Sequence, residues 1–318
     1  MIGQSISLPA ALLALLLTVD TGFAESTLRD YPVDRITANT YVIHGPLGYP
    51  SVENQGFMNN PGFVVTDSGV VLIDPGSSVQ AGRMVLKQLG TITDKPITHV
   101  ISSHVHGDHW LGNQAIAEAF PEAVFMAHPE MIKRAHAGAA DEWINLMAQA
   151  TEGFTAGTRA VIPAVSTSEI GRLETGGMTF RFHAPERAHS GTDVMIEVVE
   201  ESVLFLGDNV TYKRIARMDD ASFNGSIAAC DTAIDLAVLH YIPGHGPTGD
   251  VGIVNEFRKY LATLYGEAER LYEEGLADFE MKPEIVQKLA PYADWVNFDD
   301  QVGRHISLAI LEIEKNNF

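Results

Sequence analysis

The chain has 318 residues, long enough for one large domain or two small ones, and 46% of them are apolar, as in a globular enzyme. Its 41 acidic and 21 basic side chains give a formal net charge of −20. No stretch gathers Lys and Arg into a block, so the charge argues against nucleic acid as a partner. The negative net charge would also repel an anionic membrane surface, so such a surface is disfavoured as a partner.

Residues 1–24 have the composition of a secretory leader. An apolar run over residues 6–19 is interrupted by Pro9 and followed by small residues up to Ala24. The run is shorter than the about 20 residues that cross a bilayer as a helix, which argues against a transmembrane segment. It differs from most leaders in that no Lys or Arg precedes it. We predict a signal peptide over 1–24, a periplasmic or secreted protein, and no stable membrane insertion after cleavage.

Short β-branched runs alternate with helix-like segments in the rest of the chain, as in an α/β domain. The strand candidates are 41–44, 63–66, 70–73, 99–102, 124–126, 179–182, 194–199 and 203–206. The helix candidates are 79–89, 113–119, 130–150, 226–236, 252–274, 284–289 and 301–315. We predict one domain over 25–250, with carboxyl-terminal helices over 251–318 packed on it.

A dense group of metal-binding side chains lies between the strand candidate that ends at Ser102 and the helix candidate at Asn113. Within six positions the chain has His104, His106, Asp108 and His109. Imidazole and carboxylate are ligands that zinc accepts, and alternation in the turn directs the side chains toward two neighbouring points. Since one ion could not easily use all four, the turn predicts more than one metal.

Three more candidates follow strand-like runs. His189 lies in a loop after the strand candidate 179–182, and Asp208 ends the apolar run 203–207. His245 has glycine on both sides, which permits close approach of the backbone to an ion or ligand. In open α/β folds, ligands bind at the carboxyl ends of strands, so these side chains are expected to meet there.

With these motifs the chain resembles the metallo-β-lactamase superfamily over about residues 35–250. The most specific element is His-x-His-x-Asp-His at 104–109. Counterparts of the family's other motifs occur, in chain order, at Asp74, His189, Asp208 within Gly-Asp-Asn, and His245 within Pro-Gly-His-Gly-Pro. The resemblance implies an αββα sandwich of the α/β (α+β) class: two mixed β-sheets packed face to face, helices outside, and metals at one rim.

The resemblance also implies a ligand set for two Zn²⁺ ions per chain, although other divalent metals are compatible with these ligands. The first ion would take His104, His106 and His189, the second would take Asp108, His109 and His245, and Asp208 would bridge them. A hydroxide between the ions would be the nucleophile, because coordination lowers the pKa of water to about 7. Asp108 and Asp208 are the residues predicted to be catalytic, and Asp74 would support the site without binding metal.

Two departures from branches of the family narrow the function. Asp208 stands where dedicated β-lactamases usually have Cys or Ser, which is closer to the thioesterase and lactonase branches. His106 stands where flavodiiron members carry Glu, which argues against a diiron redox role. A finer similarity, over 94–100, 104–113 and 303–314, is to exported hydrolases found beside quinoprotein and sulfur-oxidation systems.

We therefore predict an exported dinuclear zinc hydrolase that acts on an ester, thioester, lactone or amide bond of a small-molecule substrate. A class B-type β-lactamase and a non-catalytic metal-containing binding module are the alternatives.

The sequence also predicts roles for one loop and several single residues outside these motifs. The loop 45–60 is either ordinary surface or a flap over the substrate, and Tyr49, Phe57 and Tyr212 are predicted to shape selectivity. Asn113 is predicted to cap the helix that follows it. Cys230, the only cysteine, excludes an intrachain disulfide and is predicted to be a buried packing residue.

Overall fold

The computed structural model describes residues 27–317, so the predicted leader lies outside the described residues. Between Thr27 and Asn317, no helix combines the length and the apolar character that crossing a bilayer requires. The described chain forms two β-sheets flanked by helices.

The first sheet has seven strands in the order β1 to β7: Asp34–Arg35, Thr40–Val42, Gly62–Thr66, Gly69–Ile73, Ile97–Ile101, Val124–Ala127 and Val165–Ser166. The second has the order β12-β11-β10-β9-β8, where β8 to β12 are Arg172–Thr175, Met178–His183, Met195–Val198, Val203–Thr211 and His240–His245. Helices α1 to α10 are Val79–Leu89, Gly107–Trp110, Asn113–Ala119, Pro129–Arg134, Ala140–Ala150, Thr167–Ile170, Phe223–Asp235, Val251–Glu273, Asp278–Lys288 and Phe298–Asn317.

Both sheets are mixed. In the first, β1 to β4 are antiparallel and β4 to β7 are parallel, whereas in the second only β11 and β12 are parallel. Side chains that alternate along each strand face opposite layers. Val71 and Ile73 of β4 share a buried cluster with Val203 and Phe205 of β11, which joins the inner faces of the two sheets.

The outer faces of the sheets are covered by different helices. Val70 and Leu72 of β4 pack with side chains of α1, such as Val85. On the other side, Leu204 and Leu206 of β11 belong to a cluster that contains residues of α7, α8, α9 and α10. This order of layers, helix–sheet–sheet–helix, confirms the predicted αββα sandwich.

The last helix docks through the apolar stripe seen in the sequence. Val302, Ile306 and Ile313 of α10 are buried in the cluster outside the second sheet, and Ile310 is partly buried there. The domain division at residues 24 and 250 stays a prediction.

The predicted helix over 130–150 is wrong in its middle. It is two helices, α4 and α5, separated by a wide turn at Ala135–Ala139. Gly138 in this turn has a φ of 120°, a conformation that glycine adopts without the steric cost of a side chain. Apolar residues keep their helical spacing across the break, so the hydrophobic pattern predicted one continuous helix.

Four strands escaped the sequence prediction, namely β1, β7, β8 and β12. Two of them have only two residues, and β8 is an exposed edge strand. The strand β12 contains Pro243 and Gly244, which are unusual in a strand interior but tolerated at the edge that β12 forms. The strand predicted over 203–206 extends to Thr211, so Asp208 lies inside β11 and not at its end.

The prediction for Asn113 is also wrong. The cap position of α3 is Gly112, already in helical conformation, and the Asn113 side chain donates a hydrogen bond to the Val161 carbonyl (3.0 Å). Cys230 is fully buried, as predicted.

The packing of α1 on α3 leads to a prediction about Gly82. A Cβ at this position would lie 2.4 Å from the Gly112 oxygen and 2.8 Å from the Ala115 Cβ. We therefore expect Gly82→Ala to lower the free energy of unfolding by about 1–3 kcal/mol, although alanine is the better helix former. Urea unfolding followed by circular dichroism measures the change.

Gly266 supplies the matched control, because it is also in a helix interior but has nothing within 4 Å of the position of a Cβ. Gly266→Ala should raise the unfolding free energy by up to about 1 kcal/mol. Equal effects at both positions would show that helix propensity, not the contact between α1 and α3, governs Gly82.

Candidate metal centre

The turn that carries four of the candidate side chains is fixed by the element on each side. It leaves β5 at Ile101, and α2 begins at Gly107. Trp110 of α2 is fully buried and donates its indole N–H to the Val105 carbonyl (2.9 Å). The buried Trp110 therefore fixes the backbone of the turn, and the His and Asp side chains of the turn lie at the rim of the sandwich.

The loop that carries His189 is tied to this turn. Asp193, at the end of the loop, accepts hydrogen bonds from the backbone N–H (2.6 Å) and the hydroxyl (2.8 Å) of Ser190. Thr192 accepts a hydrogen bond from the backbone N–H of Val105 (3.1 Å). These contacts bring His189 beside the turn, although it is distant in sequence.

Asp208 and His245 meet because β11 and β12 run parallel and approach closely. A Cβ at Gly244 would lie 2.0 Å from the Asp208 Oδ1, so only glycine fits there. Asn60 fixes the β12 end by donating to the carbonyls of Pro243 (2.8 Å) and Gly246 (2.7 Å). Gly244 thus permits the close approach of β12 to Asp208, whereas the approach to an ion or ligand expected at these glycines stays a prediction.

The structure brings all seven predicted side chains together. Six are buried and His106 is half-buried. Three overlapping groups each have their ligand atoms within 4.8 Å: His104, His106 and His189; His104, His109 and Asp208; and Asp108, His109 and His245. Such groups of imidazole and carboxylate suit divalent metals.

The spacing of the ligand atoms fits a bound cation better than direct hydrogen bonds. The His245 Nε2 lies 3.2 Å from the Asp108 Oδ2 and 3.3 Å from the Asp208 Oδ2, and the His109 Nε2 lies 3.2 Å from the Asp208 Oδ1. Tetrahedral ligands bound at 2.0–2.1 Å are about 3.3–3.4 Å apart. The Asp208 Oδ2 is also 3.6 Å from the His189 Nε2, so its carboxylate reaches both groups.

Buried atoms without partners point to the same conclusion. The Nε2 atoms of His104, His109 and His245 and the Oδ1 of Asp208 are buried and have no hydrogen-bond partner. Buried polar atoms normally have one, because leaving them unpaired costs about 1–3 kcal/mol each. Cations among these converging atoms would satisfy all four, so the residues present fit divalent metals.

Hydrogen bonds at the opposite ring nitrogens fix the orientation of the imidazoles. The Nδ1 of His109 donates to the Asp74 Oδ2 (2.8 Å), and the Nδ1 of His245 donates to the Met58 carbonyl (2.7 Å). The Nδ1 of His104 donates to the Ser103 hydroxyl (3.0 Å). In each ring this leaves the lone pair on Nε2, the nitrogen that faces the site.

Asp74 holds two of these rings. Its carboxylate accepts hydrogen bonds from the His109 ring, the Ser103 backbone N–H (2.7 Å) and the Ser103 hydroxyl (2.6 Å). Ser103 in turn orients His104. Asp74 is almost fully buried and has a φ of 51°, a strained conformation that persists where the surroundings impose it.

Electrostatics favour the metal-binding state at four of the candidate ligands and oppose it at His109. Burial lowers the pKa of His189 to about 3 and, with the neighbouring His109 and His106, holds that of His104 well below its usual value, so both rings are neutral. Burial acts to raise the pKa of Asp108 and Asp208, but the adjacent imidazoles outweigh it and lower both, so both carboxylates are ionised. Burial acts to lower the pKa of His109, but the carboxylates of Asp108, Asp208 and Asp74 outweigh it and raise that pKa well above its usual value.

A cavity of about 500 Å³ is lined by four of the seven side chains, namely His106, Asp108, His189 and Asp208. Its apolar lining consists of Tyr49, Pro50, Met58, Trp143, Leu146 and Ala216. Its charged lining, apart from the candidate ligands, consists of Glu142, Arg214, Arg217, Asp219 and Asp220. A wider groove of about 790 Å³ lies elsewhere, beside His44 and Thr248, and contains none of the seven.

The structure places one of the three predicted selectivity residues at the cavity, and their role in selectivity stays a prediction. Tyr49 lines the cavity, and so do Pro50 and Met58, so the loop 45–60 contributes to the wall as its flap alternative requires. Phe57 instead lies fully buried in the core under the first sheet, and Tyr212 packs edge-on against Trp295, away from the cavity.

Trp143 and Arg214 are among the cavity-lining residues that the sequence analysis missed. Trp143 of α5 packs its ring 5.0 Å from that of His106, and Arg214 lies just beyond β11. Neither belongs to a motif. The one indication in the sequence was that Arg214 follows Asp208 closely along the chain.

The fold and the site together define a metal-dependent hydrolase. The family model described as the metallo-beta-lactamase superfamily matches residues 54–251, and the chain belongs to that superfamily. It is 25% identical over 207 residues to a probable metallo-hydrolase of Streptococcus pyogenes serotype M6, an alignment that spans 59% of this chain and 79% of that protein.

Solved structures share the fold. A metallo-beta-lactamase from Pontibacter korlensis has a TM-score of 0.58 at 18% identity, covering 73% of this chain and 99% of that one. The stereoselective inverting sec-alkylsulfatase Pisa1 from Pseudomonas sp. has a TM-score of 0.61 at 19% identity, covering 80% of this chain and 45% of that one. At such identities the likeness extends to the fold alone.

The contacts of Asp74 predict its effect on metal affinity. Asp74→Asn keeps the size of the side chain but weakens its hold on His109 and Ser103, so we expect zinc affinity to fall by about 10- to 100-fold. Competition with a chromophoric chelator measures it. Asp67→Asn, in the exposed turn between β3 and β4, is the control and should bind zinc as the parent does. Unchanged affinity in Asp74→Asn would contradict this role.

Proposed function

We propose that the protein is an exported dinuclear zinc hydrolase that cleaves an ester, thioester, lactone or amide bond of a small molecule. One observation carries the proposal: seven side chains converge in two adjacent groups that share the Asp208 carboxylate, below a cavity large enough for a substrate. One ion would be held by His104, His106 and His189, the other by Asp108, His109 and His245, with Asp208 between them.

The protein's own part in the reaction is to hold and orient. Two divalent ions, when bound, supply Lewis acidity and water that ionises near neutral pH, so no side-chain base is required. Asp108 and Asp208 provide the negative charge that retains the ions, and Asp74 fixes the ring of His109. Trp143 packs against the His106 ring and lines the cavity beside it.

The position of Asp208 supports a general hydrolase over a β-lactamase in the strict sense. Its carboxylate lies within 3.6 Å of ligand nitrogens of His189, His109 and His245, an arrangement that a single thiol or hydroxyl does not reproduce with its one ligand atom. A bridged pair of ions nevertheless suits any activated carbonyl, so β-lactams remain the competing substrate class.

Removal of the metal tests the proposal directly. The purified mature protein should contain two equivalents of zinc by mass spectrometry, lose its activity on an ester, thioester, lactone and amide panel after chelation, and regain it with zinc. Asp108→Ala should lower kcat/KM by at least about 100-fold, because it removes a ligand. Asp231→Ala, at an exposed ion pair with Arg258, is the control.

The same experiment separates the alternatives. One firmly bound iron in place of two zinc ions would refute the proposal. Turnover of nitrocefin exceeding that of the whole panel would assign a β-lactamase. Tight ligand binding without turnover of any panel member would assign a binding module.

Export is proposed from the composition of residues 1–24. Expression of the full chain in a Gram-negative host should yield a periplasmic protein whose first residue is Glu25, as read by terminal sequencing. A cytoplasmic protein that retains residues 1–24 would contradict both the leader and the localisation.

A further inference from the structure

Arg214 is a buried cation at the edge of the metal cavity. Only 5% of the residue is exposed, and that part lines the cavity. Its backbone is fixed, because it pairs with Val296 and the N–H of the next residue, Ile215, donates to the Val296 carbonyl (2.9 Å). The guanidinium is therefore held beside the cavity and is not free to swing into solvent.

This guanidinium has no counterion. Among residues 27–317, no carboxylate lies within 4.0 Å of its nitrogens, and its Nε is buried without a hydrogen-bond partner. Besides contacting the His245 ring, the guanidinium lies over the face of Tyr49, whose centre is 5.8 Å away. A cation–π contact of this kind compensates only part of the cost of burying a charge.

The contact with His245 does not satisfy Arg214 either. The Nη1 lies 2.6 Å from the His245 Nδ1, which is also 2.7 Å from the Met58 carbonyl. If the Nδ1 proton is donated to Met58, as a metal bound at Nε2 requires, His245 has no lone pair left for the guanidinium. Arg214 then gains no acceptor from this ring.

The acidic side chains that are nearest along the segment already have partners. Asp219 pairs with Arg217 (2.9 Å) and with Arg304, and Asp220 accepts from the His106 ring (3.3 Å). Arg217 thus lines the same cavity with its charge neutralised. Arg214 differs from it in having its charge unpaired.

We infer that Arg214 binds an anionic group of the substrate, a carboxylate, sulfonate or phosphate oxygen pair, while the apolar part of the substrate lies against Met58, Trp143 and Leu146. An anion would supply the missing counterion, and the planar guanidinium matches its oxygens in a bidentate fashion. This inference rests on the proposed hydrolase function and defines its substrates as amphiphilic anions whose scissile bond lies near Asp208.

A set of substrates that differ in one terminal group tests the inference. We would measure kcat/KM of the zinc-loaded enzyme on S-phenyl thioesters of one acyl chain ending in methyl, amide, carboxylate, sulfonate or phosphonate. The preferred anionic member should exceed both neutral ones by about 10- to 100-fold, and the three anionic arms identify the group. Arg214→Met should bring this ratio to within about three-fold of unity.

Arg217→Met is the matched control, because it also removes a positive charge from the cavity wall but one that Asp219 already neutralises. It should change the ratio by less than about three-fold. Equal loss of the ratio in both variants would show a general effect of charge, and an unchanged ratio in Arg214→Met would overturn the inference.

Stability separates substrate binding from a structural role. Arg214→Met removes an unpaired buried charge, so its thermal midpoint should equal or exceed that of the parent at the same zinc content. A clearly lower midpoint together with an unchanged ratio would assign a structural role to Arg214 and overturn the inference.

Failure of the proposed function has a distinct result, namely no turnover of any thioester. Calorimetric titration of the zinc-loaded protein with 1-hexanesulfonate and 1-hexanol then replaces the kinetics. Binding of the sulfonate that weakens by about ten-fold in Arg214→Met would support the anion site without hydrolysis. Equal binding by both proteins, or no binding by the parent, would overturn it.

Discussion

The main constraint on this structure is that imidazole nitrogens and carboxylate oxygens are buried close together at one rim of the sandwich, with their lone pairs facing one another. Three imidazole Nε2 atoms and a carboxylate oxygen face one another without partners, and two ionised carboxylates lie among them. Bound cations would balance this group, because unpaired polar atoms and like charges each cost free energy. Metal binding and the folding of this rim are therefore coupled.

Part of this site could be predicted from the sequence, and the physical reason is locality. The turn 104–109 carries four candidate ligands in one peptide segment, and each of the other three follows a recognisable strand-like run. What the sequence did not show is how β12, with Pro243 and Gly244, pairs with β11 to bring Asp208 and His245 together. That pairing depends on tertiary contacts, and so do the break at Gly138 and the hydrogen bond of Asn113.

The cavity wall was harder to predict because it depends on the carboxyl-terminal helices. The segment 212–222 carries Arg214, and α10 holds it at several points. The fully buried His305 donates to the Ala216 carbonyl (3.0 Å), and Glu312 accepts from the backbone N–H of Phe223 (2.7 Å) and the Ser222 hydroxyl (3.0 Å). No motif links these residues, which are about 90 positions apart. The helices that cover the second sheet thus also shape the surface that a substrate meets.

Two energetically unfavourable features, at Asp74 and Arg214, lie beside the closely packed core of the sandwich. Asp74 has a strained backbone and Arg214 an unpaired charge, and both adjoin strands whose apolar side chains are fully buried between the sheets. A close-packed core tolerates little movement, so it can impose conformations that the local sequence disfavours. The rigidity that fixes seven ligands is the same rigidity that keeps Arg214 without a counterion until an anion enters. Selectivity for charge in this protein would then follow from packing behind the cavity as much as from the residue that faces it.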